Sequence, residues 1–79
     1  MAESTSSFEW VPSSNGKVPQ RAIPGGYTGS GETLYIGRVV SKGEMICGKV
    51  QPSHRVLYVP LDGKERSFNS SYEVLIATN

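Results

Sequence analysis

Apolar and polar side chains alternate in short runs along this chain, and no stretch of a dozen residues repeats an apolar side chain at spacings of three and four. That pattern speaks for strands and against helices. The clearest runs are residues 33–40 (TLYIGRVV), 44–50 (EMICGKV), 55–61 (RVLYVPL), 64–68 (KERSF) and 72–77 (YEVLIA), each rich in β-branched or aromatic residues. Residues 8–11 and 21–23 are shorter candidates. Nine glycines and five prolines interrupt the chain at strand-length intervals. Asn15-Gly16 and Asp62-Gly63 mark turns, the latter as a type I′ hairpin, because both residues of such a turn need positive φ. Residues 25–31 hold four glycines around Tyr27, Thr28 and Ser30, and are expected as an irregular loop. The fold class is therefore all-β, a small twisted antiparallel sheet or sandwich.

Alternation also assigns faces. Leu34, Ile36, Arg38 and Val40 share one side of their strand, with Tyr35, Gly37 and Val39 on the other. Met45, Cys47 and Lys49 oppose Ile46, Gly48 and Val50. Residues 56–61 are apolar on both sides, which predicts a central strand. Arg38 and Lys49 are cations among apolar neighbours, so each must reach water or find a partner.

With 79 residues there is room for one domain, read as residues 8–79 behind a polar, disordered tail over residues 1–7. One cysteine, Cys47, excludes an internal disulfide, and one histidine, His54, cannot complete a four-ligand zinc site with it. No cofactor is implied. Eight Lys/Arg against seven Asp/Glu, scattered along the chain, lack the basic patch that nucleic acid or an anionic membrane selects. No apolar run is long enough to cross a bilayer as a helix, so membrane insertion is not expected. The first residues carry neither a basic n-region nor an apolar h-region, and with the lone thiol this leads to the expectation of a cytoplasmic protein, unconventional secretion being left open.

Catalytic readings find little support. Cys47 is expected as a buried small hydrophobe and His54 as a surface imidazole near a turn, not as nucleophile and base. The glycine-rich loop lacks the Gly-Lys-Ser/Thr ending of a phosphate loop and leads into a strand. The chain is not expected to be an enzyme. What remains is a glycine loop, a strand lysine and several tyrosines, parts that suit sugar hydroxyls and the apolar face of a sugar ring.

Trp10, Asn15-Gly16, Val18-Pro19, Ala22, Gly25-Gly26, Gly31-Glu32 and Leu34-Tyr35-Ile36-Gly37-Arg38 form an ordered series. It continues through Gly48-Lys49-Val50, Pro52-Ser53-His54, Leu57-Tyr58-Val59-Pro60, Gly63, Glu65 and Tyr72-Glu73-Val74-Leu75. This series resembles the DM-nine repeat family. The resemblance implies an all-β repeat that pairs with a second copy about a twofold axis, hence a homodimer for a single repeat. It further implies a mannose-type lectin that recognises mannose or mannose-containing glycans, with a role in innate-immune pattern recognition. A non-catalytic protein-interaction module that has lost sugar binding is the alternative. By the same resemblance Lys49 is the ligand-binding lysine of the Gly-Lys-Val motif. Thr28 and Ser30 stand where acids are usual, Glu32 and Glu44 are the acids able to compensate, and Tyr27 lies beside them. An ion pair between Lys49 and Glu32 or Glu44 is the competing reading of that lysine.

Overall fold

The computed structural model describes residues 7–79; the expected tail therefore lies, apart from Ser7, outside the described residues. Seven strands form a single antiparallel sheet: β1 (Phe8–Ser13), β2 (Pro24–Tyr27), β3 (Thr33–Ser41), β4 (Glu44–Gln51), β5 (Val56–Leu61), β6 (Lys64–Phe68) and β7 (Tyr72–Ala77). The order across the sheet is β1-β7-β3-β4-β5-β6, with β2 added beside the first half of β3. One turn of 3-10 helix, Pro52–His54, joins β4 to β5.

The hairpins follow from local chemistry. Lys42-Gly43 and Asp62-Gly63 both adopt positive φ (50° and 81°, 56° and 73°), the twist that continues the right-handed coil of the flanking strands. They set the register Ser41↔Glu44 in one hairpin and Leu61↔Lys64 in the other. The chain's ends meet as well: β1 pairs with β7 from Phe8↔Ala77 to Ser13↔Tyr72.

The main buried cluster lies on one face, with Leu34 on β3 buried apart from it. Val39, Val50, Leu57, Val59, Tyr72 and Val74 are buried together, with Tyr35, Ile46, Phe68 and Ala22 packed around them. Tyr35 and Val39 on β3 and Ile46 and Val50 on β4 are the sets that alternation predicted. A sheet six strands wide can enclose these residues only by coiling on itself, and two glycines permit it. Gly37 and Gly48 face each other in the β3–β4 ladder. A Cβ on Gly37 would stand 2.7 Å from Leu57 Cδ1, and one on Gly48 would stand 1.9 Å from the Tyr58 carbonyl oxygen.

Three expectations need correction. The glycine-rich stretch is not irregular throughout: Pro24–Tyr27 forms β2, with a bulge between Pro24 and Gly26. Ladder bonds to β3 offset the entropy lost by the glycines. The bare Gly25 lets the strand lie over Ile36, whose Cγ1 would be 2.9 Å from a Cβ there. Residues 21–23 are not a strand, because Arg21 turns through φ 68° and Ala22 makes only an isolated bridge to Ile76. The strand at 56–61 is interior but second from the edge, not central. Leu57 and Val59 fill the core, while Tyr58 and Pro60 belong to a surface cleft.

Candidate functional site

The β4–β5 ladder runs from Gln51↔Val56 through Val50↔Leu57 to Lys49↔Tyr58 and stops there. At the next position the Tyr58 carbonyl crosses directly over Gly48, and β5 leaves the plane of β4. A cleft of about 540 Å³ opens where the strands part, lined by Gly48, Lys49, Tyr58, Pro60, Lys64 and Glu65 among others. Directly paired residues emerge on one face of an antiparallel ladder. Lys49 and Tyr58 therefore share a face, and Pro60 and Glu65, paired in the β5–β6 hairpin, continue it. An amine, a phenol ring, a pyrrolidine ring and a carboxylate are brought to one place.

Lys49 is exposed, and among the described residues its ammonium makes no hydrogen bond and no ion pair. Among the described residues no ion pair joins it to Glu32 or Glu44, the competing reading of that lysine. Glu44 begins β4 five residues away, roughly 16 Å along an extended strand. Arg38 on β3, by contrast, has two partners. Its Nε donates to Glu73 Oε1 at 2.7 Å, and its guanidinium carbon lies 4.1 Å from the centre of the Trp10 ring.

Tyr58 is fixed from the other side. His54 Nδ1 lies 2.6 Å from the Tyr58 hydroxyl, and the two rings meet edge to face at 5.7 Å. His54 closes the 3-10 turn, and Glu32 secures that turn. Ser53 donates to Glu32 twice, from its backbone N–H and its hydroxyl, both at 2.7 Å, and Gln51 Nε2 donates at 3.0 Å. These bonds hold the Glu32 carboxyl below its ordinary pKa of 4.5, the Ser53 hydroxyl having the largest effect, then Gln51, the Ser53 N–H and the charge of His54.

Glu32 is aimed by its own loop. Thr28 Oγ1 accepts the Glu32 N–H at 3.0 Å and lies 3.0 Å from Ser30 Oγ, while the Thr28 N–H donates to the Glu32 carbonyl at 2.8 Å. Thr28, Ser30 and Glu32 are thus brought together, and a relay through Ser53, His54 and Tyr58 connects them to the Lys49 cleft. Tyr27 projects from β2 with 78 % of its surface exposed, and Glu44 stands apart at the β3–β4 hairpin. Sequence reasoning did not single out Tyr58, His54 or Glu65 for the site. A signal for them existed: alternation puts Tyr58 with Pro60, and a two-residue Asp62-Gly63 turn sets Glu65 opposite Pro60. Cys47, expected in the core, is exposed, because β4 turns its Met45-Cys47-Lys49 side away from the buried cluster.

The profile of the DM9 repeat matches residues 1–68. The chain belongs to the DM9 repeat family. These repeats are carbohydrate-recognition modules, a family of binding domains and not of enzymes. The DM9 match includes β1 to β6 and ends at Phe68, so β7 lies beyond it although it occupies the place between β1 and β3. A search of curated proteins returns no match to this DM9 chain. Among its described residues no three His, Cys, Asp or Glu are grouped so as to hold a metal, and no helix is long and apolar enough to cross a membrane.

Proposed function

We propose that this DM9 repeat is a mannose-type lectin whose sugar site is the cleft between Lys49 and Glu65. The observation that carries the reading is the Lys49 ammonium, without a partner among the described residues, on the wall of a concavity that also presents a carboxylate and an aromatic ring. A volume near 540 Å³ is within the usual range for small-ligand sites. Vicinal hydroxyls accept from the ammonium and donate to Glu65, and both bonds are charge-assisted. The Tyr58 ring and Pro60 supply an apolar wall for the C–H face of the ring. Glu32 acts through the 3-10 turn by keeping His54 against Tyr58. Thr28, Ser30 and Tyr27 lie on the loop beyond the 3-10 turn, outside the cleft lining, and are assigned to further units of a longer glycan.

The site is shallow, so a single monosaccharide binds weakly. Pairing of two chains as a homodimer presents two sites and restores avidity towards mannose-rich surfaces. That fits a pattern-recognition role in innate immunity, with the protein held in the cytoplasm or released unconventionally. The rival reading, an interaction module without sugar binding, is favoured by one observation: the Thr28 and Ser30 hydroxyls bond each other.

Calorimetric titration with methyl α-mannoside decides between them. Saturable binding by the native chain, lost in Lys49→Ala while the far-ultraviolet circular dichroism is unchanged, is the expected result. Equal affinity in the two proteins would remove Lys49 from the site. No binding to any mannoside by the folded native chain would leave the interaction module standing.

A further inference from the structure

A second and larger cleft, of about 770 Å³, lies at the other end of the β3–β4 pair, where β1 ends and β7 begins. Its lining includes Arg38, Glu73, Ser14, Ser71, Val40 and Met45. β3 continues past its last contact with β7, Val39↔Tyr72, so the β3–β4 hairpin overhangs and forms one wall. Arg38 is held on two sides, by Glu73 through Nε and by the face of Trp10. A guanidinium has five N–H donors, and this contact uses one of them. Among the described residues its terminal nitrogens have no partner, and neither do the Ser14 and Ser71 hydroxyls. Val40 and Met45 form an exposed apolar shoulder, at 59 % and 52 % of their surface.

We propose that this cleft binds a carboxylate-bearing sugar, a uronic acid unit, at a site separate from the Lys49 cleft. The carboxylate is taken by the two terminal nitrogens of Arg38 in a forked pair. Glu73 and Trp10 fix the guanidinium beforehand, so little side-chain freedom is lost on binding. The serine hydroxyls and the second oxygen of Glu73 offer donors and acceptors together, which a polyhydroxylated ring satisfies. The apolar shoulder covers its C–H face. A peptide ending in a carboxylate fits less well: the unpaired edge of β3 beside the cleft is only Val40 and Ser41, too short to seat an added strand.

Titration of the full chain with glucuronate and with glucose, followed by two-dimensional NMR, tests the site. The expected result is saturable shifts at Arg38, Ser71 and Met45 with glucuronate, and affinity for glucose lower by about tenfold or more, as the loss of charged hydrogen bonds implies. Arg38→Lys keeps the charge and loses the fork, and is expected to weaken glucuronate by a similar factor. If that variant fails to fold, Met45→Glu decides, since it places a like charge on an exposed shoulder; it too must weaken glucuronate. Lys49→Ala must leave glucuronate binding intact, whatever it does to mannoside. Loss of glucuronate binding in Lys49→Ala, unchanged binding in Met45→Glu, or no saturable shifts in the native chain would each overturn the proposal. Tighter binding of a short peptide through its terminal carboxylate would overturn the sugar assignment.

Discussion

The two clefts of this sheet treat a cation in opposite ways. At one end β4 and β5 separate and Lys49 stands in the gap with no side-chain partner among the described residues; at the other, β1, β7 and β3 converge and Arg38 is locked between a carboxylate and an indole. The neighbours on the ladder decide which happens. Lys49 is paired with Ile36 and Tyr58, neither of which can neutralise it, while Arg38 has Glu73 directly opposite. A charge without an internal counterpart is free to bond a ligand, and a charge already held is stiff and geometrically specific.

The sharpest way to break this contrast is to disturb the strand crossing that shapes the gap. Gly48→Ala places a methyl carbon 1.9 Å from a backbone oxygen, which only movement of β5 can relieve. A loss of about 3 kcal/mol of stability is expected, at the upper end for overpacking, together with loss of mannoside binding. Chemical denaturation checks the first and titration the second. Lys49→Ala comes next, with affinity for mannoside falling about tenfold or more and stability changed by less than about 0.5 kcal/mol. Trp10→Leu removes the ring under Arg38, and a cost of about 1 kcal/mol by thermal unfolding is expected, with mannoside affinity retained. If mannoside binding falls along with it, the two ends are coupled and the contrast fails.

The smallest effect concerns pH. Glu32 has its folded pKa below the ordinary 4.5, so the loop anchorage it provides is complete above that value and is lost as pH falls through the lower, folded one. The Ser53 amide, which donates to Glu32, reports this in an NMR titration. In Glu32→Gln its acid-range shift should disappear. A Ser53 shift unchanged by the substitution would assign the effect to another group.

Much of the sheet was legible beforehand because hairpin turns and alternation are local. The Asp62-Gly63 turn and the split of residues 33–40 into two faces required nothing beyond neighbouring residues. β2 was not legible, because a glycine-rich segment becomes a strand only when β3 lies beside it and Ile36 fills the space its side chains leave. Lys49 and the loop around Thr28 were visible as motifs. Tyr58, His54 and Glu65 join the site through register and a long-range divergence of strands that depends on Gly48, and the exposure of Cys47 depends on which face the whole sheet buries.

The pairing of β1 with β7 also dictates an order of events. Residue 8 finds its ladder partner only at residue 77, so β1 has no β7 to pair with until about seventy further residues have been made. The β3–β4 and β5–β6 hairpins are able to assemble as they emerge, whereas the seam holding Trp10 under Arg38 forms last and closes slowly. Until it does, the Trp10 ring remains in water, an interval in which a holding chaperone has something to grip.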